Sequence, residues 1–127
     1  MIAKDQLEQI RNAIRQPQQW NASLKSAEEF VLTPDGMKTL AANCMLIGAI
    51  GEGVKKIDNL TNQQLLVHRQ EIPWRQIKDM RNHIAHGYFD INTDFVWDVI
   101  QNVLQPLLEA IDYFIENIYD IIPFKTE

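Results

Sequence analysis

Cysteine, histidine and basic residues are scarce in this chain, and each shortage narrows what the protein can be. Cys44 is the single cysteine in 127 residues, so no disulfide can form within the chain, and we expect a buried, unreactive thiol in a reducing compartment. The three histidines, His68, His83 and His86, do not stand among carboxylates at metal-ligand spacing. We therefore expect no metal site and no cofactor.

Long apolar runs are also missing. No uninterrupted stretch approaches the roughly 18–20 apolar residues that a membrane-spanning helix needs, and the segment Met1–Asp5 turns polar within four residues, unlike a targeting signal. We expect a cytoplasmic protein without membrane association.

The net charge of −5 argues against a general nucleic-acid coat protein, but the charge is unevenly placed. Residues 1–54 carry 5 basic and 6 acidic side chains, residues 55–86 carry 6 and 3, and residues 87–127 carry 1 and 8. The basic middle is either a phosphate-attracting surface or a solvated helix face. The acidic last third suits a basic protein partner better than RNA.

Apolar residues recur at helical spacing along most of the chain, which predicts an all-α fold. A first helix should stop before Pro17, and residues 17–25 should form a loop. Ser26 and Glu29 have the spacing of a capping box, which predicts a short turn.

Thr33 and Pro34 predict the start of a second long helix that runs to about Lys56. Three glycines interrupt its interior: Gly48, Gly51 and Gly53. Each costs roughly 1 kcal/mol of helix propensity relative to alanine, so we expect another backbone to approach closely there, either in a core crossing or at a dimer seam.

Three further helices complete the predicted fold. Thr61 suggests a short capped helix around residues 62–67, and Pro73 begins a helix that ends at Gly87. One of Asn92, Thr93 and Asp94 should cap a last long helix, which should kink at Pro106. These elements predict one domain over residues 1–127, an up-and-down bundle of four to five helices.

The tryptophans and the last helix also carry predictions. Trp74 and Trp97 should be core anchors rather than platforms for base stacking. The apolar stretch from Ile111 to Ile122 fits either a thick core or a contact with a second subunit.

The segment from Arg81 to Tyr88 gathers a guanidinium, imidazoles and a phenol near one helix end. On a continuous helix Asn82 would lie close to His86 and could orient its ring, while Arg81 would bring a fixed positive charge from the flank. An imidazole near neutrality can take and return a proton. The alternative is that the histidine before Gly87 only caps a helix.

Three stretches of the chain resemble the HepT-like branch of the HEPN superfamily. They are Ile47-Gly48-Ala49-Ile50-Gly51-Glu52-Gly53, the run from Ile72-Pro73-Trp74 to Tyr88, and Val96-Trp97. The most specific element is Arg81, four intervening residues, His86, one residue, and Tyr88. The resemblance covers about residues 28–108, and the first 27 residues match less well.

The resemblance implies a metal-independent ribonuclease toxin of a type VII HepT/MntA-like system, paired with a minimal nucleotidyltransferase antitoxin. It implies a homodimer whose two motif copies form one cleft for RNA but not DNA. Arg81 would bind the scissile phosphate, His86 would be the general acid and base, and Asn82 would orient the site. Tyr88 would accept AMP from the antitoxin, which blocks the cleft. His83 would be an auxiliary phosphate contact or simply a surface histidine. Glu52 would be a structural partner of the motif helix or an auxiliary site residue, and Lys78 would be a further auxiliary residue.

Two rival functions remain open on the sequence. The chain could be a catalytically silent helical module that binds a nucleotidyltransferase or a nucleotide. It could also be a substrate-binding protein that assists a nucleotidyltransferase. The intact set of Arg81, His86 and Tyr88 favours the enzyme, because a docking module does not need it.

Overall fold

The computed structural model describes residues 2–85 and 90–122, and these are helical almost throughout. The predicted all-α class is confirmed. Within the described ranges, the β structure is one antiparallel bridge between Ala85 and Ile91. The α-helices are α1 (Ile2–Trp20), α2 (Glu29–Leu32), α3 (Pro34–Leu60), α4 (Trp74–Lys78), α5 (Thr93–Asp98) and α6 (Leu104–Ile121). Short 3-10 helices span Leu66–Arg69 and Met80–His83.

Helices α1 and α6 pack antiparallel. Three contacts set their register. Near the start of α1 the ammonium of Lys4 lies 5.7 Å from the ring centroid of Tyr119. In the middle Arg11 Nη1 lies 3.7 Å from Asp112 Oδ1, and near the end Gln18 donates to Gln105 at 2.9 Å. The residue numbers of the contacts therefore decrease along α6 as they increase along α1, as antiparallel packing requires.

Helix α3 runs antiparallel to α1 and is joined to it by a buried pair of amides. The Asn21 and Asn43 side chains donate to each other's oxygen at 2.9 and 3.0 Å, and Asn43 is fully buried. Further along, Gly53 faces α1 so closely that an added Cβ would lie 2.9 Å from Ile10 Cγ1. The glycine is needed for this approach.

The segment from α4 to the 3-10 helix Met80–His83 runs back along α3. A Cβ added at Gly51 would lie 2.8 Å from the backbone oxygen of Ile77, and one at Gly48 would lie 3.7 Å from Arg81 Cγ. Of the two readings of the glycines, the core crossing is what the structure contains. Because α6 is antiparallel to α1, the described elements form the predicted up-and-down bundle, with a broken third member.

Helix α1 continues through Pro17 to Trp20, so the prediction that it stops before Pro17 was wrong. Proline at this point removes one backbone hydrogen bond, which normally costs about 3 kcal/mol. Here Pro17 is buried, and its carbonyl accepts from the Asn21 backbone and side chain at 3.1 and 2.6 Å. These contacts hold the last turn of the helix, and only the later part of residues 17–25 is irregular.

The prediction of a short capped helix around residues 62–67 was also wrong. Thr61 ends α3 instead of opening a helix, because its hydroxyl donates back to the Ile57 oxygen at 2.8 Å. Asn62 and Gln63 then adopt left-handed backbone with φ of 53° and 61°. The backbone N–H of Gln63 donates to the backbone oxygen of Asp58 at 2.9 Å, and this bond closes the helix with a Schellman motif.

Two predicted helix starts are confirmed. The Thr33 hydroxyl accepts from the Gly36 amide at 2.9 Å at the start of α3. The side-chain oxygen of Asn92 accepts from the Phe95 amide at 3.0 Å and caps α5.

A kink at Pro106 was predicted for a single last helix; the structure divides this helix into α5 and α6, with a π-helical segment, Val99–Val103, between them. Pro106 lies in the first turn of α6 and cannot bond the carbonyl of Asn102, four residues earlier. The apolar face of α6 is buried within the protomer at Ile111, Phe114 and Ile118, as the thick-core reading has it. In the described ranges, no helix is both long and apolar enough to cross a bilayer.

The contact between α3 and α4 yields a paired prediction. Gly51→Ala should lower the free energy of unfolding by about 1–3 kcal/mol, because its methyl group would press on the Ile77 carbonyl. Gly48→Ala is the matched control, since its methyl meets only the flexible arm of Arg81 and the side chain of Ile84 at ordinary distances. It should be neutral or stabilising by up to about 1 kcal/mol. Urea unfolding followed by circular dichroism measures both, and equal effects would contradict the close approach.

Candidate functional site

The segment that carries the motif is not one continuous helix. Helix α4 ends at Lys78, Asp79 has φ −99° and ψ 4°, and a 3-10 helix follows from Met80 to His83. The prediction of a helix from Pro73 to Gly87 was therefore wrong. The Asp79 carboxylate accepts from the Asn82 amide and contacts His83, and such local bonds favour a turn over an α-helix.

Arg81 presents its guanidinium to solvent beside α3. Its side chain is 69% exposed, while its methylene groups run over Gly48, where an added Cβ would lie 3.7 Å from Arg81 Cγ. Arginine commonly lays its apolar stem along a surface and keeps its charged end in water. The arrangement fixes the stem and leaves the charge available to a ligand.

Glu52 lies between two cations on this surface. Its Oε1 atom is 3.8 Å from Arg81 Nη1 and 3.5 Å from Lys55 Nζ, and its side chain is about as exposed as that of Lys55. Ion pairs this exposed contribute roughly 0–1 kcal/mol. Glu52 therefore contacts the motif segment, as expected for a partner of it, without locking the guanidinium.

Asn82 and His83 both bind Asp79. The Asn82 amide donates to one carboxylate oxygen, and His83 Nε2 lies 2.9 Å from the other. The Asn82 hydrogen bond, and then that of His83, lower the pKa of the Asp79 carboxyl, with a smaller contribution from the charge of Lys55. Asp79 was not among the predicted site residues, although its spacing to Asn82 and His83 is visible in the sequence.

His86 and Tyr88, the predicted acid-base residue and modification site, lie outside the described residues. Ala85 directly precedes His86 in the chain and is the last described residue of this segment. The pairing of Ala85 with Ile91, together with a bond from the Asn92 amide to the Ile84 oxygen at 2.7 Å, fixes its position.

A groove of about 520 Å³ runs between α3 and the motif segment. The Arg81 side chain and Ala85 both line it. Its walls are Cys44, Met45, Gly48, Ala49, Glu52, Arg81, Ile84 and Ala85. Cys44 is only partly buried, contrary to the prediction, but burial raises the pKa of its thiol, which keeps it protonated and weakly nucleophilic near neutral pH.

Lys78, a predicted auxiliary residue, is engaged with α3. Its ammonium donates to the Asp58 carboxylate, whose side chain is 12% exposed. This pair holds α4 to the end of α3, on the same side as Gly51. The placement gives Lys78 a structural role.

Both tryptophans pack against the core, as predicted. Trp74 stacks on Phe114 with ring centroids 5.9 Å apart, and its Nε1 donates to the Arg69 oxygen at 2.9 Å. Trp97 meets Phe30 edge to face at 6.0 Å.

The ion pair of Lys78 and Asp58 predicts a non-additive pair of substitutions. Lys78→Met should destabilise the fold by about 1–3 kcal/mol, because it leaves a nearly buried carboxylate without its donor. Adding Asp58→Asn to Lys78→Met removes the uncompensated charge and should restore part of the loss. Urea unfolding of the four proteins of this cycle measures the coupling. Purely additive effects would show that the contact contributes nothing.

Comparison with known proteins assigns the chain to a family. The family model described as "Ribonuclease HepT-like" matches residues 3–114. The chain is 30% identical over 104 residues, 82% of its length and 87% of the relative, to "Probable ribonuclease HepT" of Thermococcus cleftensis.

Two more distant relatives agree. The chain is 27% identical to "Putative RNase MJ0127" of Methanocaldococcus jannaschii over 81 residues, which is 64% of each chain. It is 24% identical to "Putative RNase TTE0752" of Caldanaerobacter subterraneus over 72% of this chain and 76% of the relative. No solved structure matches significantly. The family model alone covers most of the chain, and this protein belongs to the ribonuclease HepT-like family.

Proposed function

We propose that this protein is a metal-independent endoribonuclease toxin of a type VII HepT/MntA-like toxin–antitoxin system. One observation carries the proposal: the guanidinium of Arg81 is exposed in a groove that Ala85, the residue before His86, helps to line, in a chain of a ribonuclease family. A permanently charged guanidinium suits a phosphodiester, because its planar donor set matches phosphate oxygens.

The proposed reaction needs only the RNA and two side chains. His86 removes the proton from a 2′-hydroxyl, and the freed oxygen attacks the adjacent phosphorus. Arg81 stabilises the charge that develops on the phosphoryl oxygens. The bond from phosphorus to the 5′-oxygen breaks, and that oxygen receives a proton from imidazolium. The products are a 2′,3′-cyclic phosphate and a 5′-hydroxyl end. DNA lacks the nucleophile and is not cut.

The proposed active form is a homodimer, as the family resemblance implies. Its two motif copies would face one another, so that each subunit contributes Arg81 and His86 to a shared cleft. The exposure of Arg81 in the single protomer supports this arrangement, because the guanidinium remains accessible to a ligand held between two copies. Asn82 would act through Asp79, which it binds, rather than by touching substrate.

A catalytically silent module that binds a nucleotidyltransferase or a nucleotide is the second candidate. The Glu52 carboxylate beside Arg81 and Lys55 favours it, because the carboxylate offsets part of the positive charge that RNA would need. The exposed acids of α5 and α6 also suit a basic protein surface. A cleavage assay separates the two candidates.

Purified protein should cleave single-stranded RNA in EDTA and leave 2′,3′-cyclic phosphate ends. His86→Ala should slow cleavage by about 10²–10⁴-fold through loss of proton transfer. Arg81→Ala should slow it by about 10²–10³-fold through loss of charge stabilisation. Gel electrophoresis of end-labelled RNA gives the rates, and enzymatic treatment of the ends identifies their chemistry.

Arg15→Ala is the matched control, because Arg15 is an exposed arginine on α1, and it should leave the rate unchanged. Circular dichroism checks that each variant keeps its helices. An RNA with 2′-deoxyribose at the cleaved position should resist. If His86→Ala cut as fast as the parent, the catalytic assignment would be lost and the silent module would be preferred.

Antitoxin action should be visible at Tyr88. Incubation with the cognate nucleotidyltransferase, ATP and magnesium should add the mass of AMP to Tyr88 and lower cleavage, since the added phosphate repels RNA from the cleft. Tyr88→Phe should take up no AMP, whereas Tyr113→Phe, which removes an exposed phenol on α6, should be modified normally. Peptide mass spectrometry locates the adduct, and an adduct at another residue would contradict the assignment.

A further inference from the structure

A second, basic groove begins at Glu52, which contacts Arg81, and lies along the exposed face of α3. It has a volume of about 450 Å³ and is lined by Glu52, Lys55, Lys56, Asn59 and Leu60. Glu52 is common to this groove and the one that holds Arg81. The two depressions therefore meet at Glu52 and form one track along α3.

Five residues that line this track share one stripe of α3. They recur every three or four positions, the spacing that places side chains on one helical face. In order along α3 they are Met45, Ala49, Glu52, Lys56 and Asn59. The track is apolar or small-sided before Glu52 and basic after it.

Lys55 lies on the side of this stripe that faces the motif segment. Its ammonium is 3.5 Å from the same Glu52 oxygen that Arg81 approaches to 3.8 Å. Its charge also acts on Asp79 of the motif segment. Arg81 and Lys55 are thus neighbouring cations on one surface, close enough for one extended polyanion to contact both.

The nearby carboxylates are mostly occupied by other partners. Asp58 accepts from Lys78, and Asp79 accepts from Asn82 and contacts His83. Lys56 has no carboxylate within ion-pair distance among the described residues. The basic half of the track therefore faces outward with little local compensation apart from Glu52.

We infer that Lys55 and Lys56, with Asn59 beside them, form a phosphate-binding subsite for the RNA strand whose scissile phosphate lies at Arg81. The inference rests on the proposed function. The strand runs from Arg81 along α3 towards Leu60, and its backbone phosphates lie over the two ammonium groups. Lysine is a mobile point charge without a planar donor set, so the subsite binds backbone irrespective of base sequence.

Salt dependence of RNA binding tests the subsite directly. Binding is measured by fluorescence anisotropy with a labelled single-stranded RNA in the cleavage-silent His86→Ala protein, over a series of salt concentrations. Each phosphate contact on a single strand contributes about 0.7 to the slope of log affinity against log salt concentration. The double variant Lys55→Ala with Lys56→Ala should therefore have a slope that is shallower by about 1.4, and it should bind RNA more weakly at low salt.

Two further double variants make the result specific. Lys25→Ala with Lys38→Ala removes the same charge from exposed positions outside both grooves, one of them at the other end of α3, and should keep the parent slope. Lys55→Arg with Lys56→Arg keeps the charges and should also retain it. Circular dichroism checks that each variant folds. The alanine substitutions should not disturb α3, because alanine has a high helix propensity.

The outcomes separate the subsite from the proposed function. If the parent cleaves RNA but the Lys55 and Lys56 alanine variant keeps both slope and affinity, the subsite is wrong and the ribonuclease stands. An equal loss in the Lys25 and Lys38 control would mean that net charge alone is responsible, and would also overturn the subsite. A parent that neither binds nor cleaves RNA removes both.

Discussion

The close approach of α4 to α3 at Gly51 is the constraint on which the rest of the site depends. A side chain at position 51 would collide with the Ile77 carbonyl, so the motif segment can pack here only against bare backbone. That contact sets the height of Arg81 over Gly48 and lets Lys78 reach Asp58. The glycines lower the helix propensity of α3, and they are present because a second chain segment packs so close to it.

Charge in the site is arranged so that internal pairs are satisfied and the outward cations are only weakly held. Asp58 and Asp79 each bind neighbours within the fold, whereas Arg81 and Lys55 share a single exposed carboxylate. A phosphate can replace such a partner at small cost, because exposed pairs are weak and screened by salt. A protein with a net charge of −5 can in this way keep a cationic surface for an anionic ligand.

The sequence predicted the elements whose signals are local and missed those set by tertiary contact. The caps at Thr33 and Asn92 were predictable, because each follows from one residue type at one position. The all-α class follows from the apolar repeat, and the close approach at the glycines follows from their low helix propensity. The passage of α1 through Pro17 was not, since it depends on burial and on Asn21.

The break after Lys78 was missed for a similar reason. The apolar repeat continues through Ile77, Met80 and Ile84, all of which are buried, so periodicity alone could not show that Asp79 ends the α-helix. Arg81 Nη1 and Glu52 Oε1, which belong to two of the residues named from the sequence, lie 3.8 Å apart. The prediction for His86 and Tyr88 rests on their spacing in the motif.

The reciprocal amide pair of Asn21 and Asn43 limits how α1 and α3 can align. Each buried amide satisfies the other, so sliding α3 by one turn, about 5.4 Å, would leave two buried polar groups without these partners. A stranded group of this kind costs roughly 1–3 kcal/mol. The pair therefore favours one alignment of the two helices. That alignment sets the position of every residue on α3.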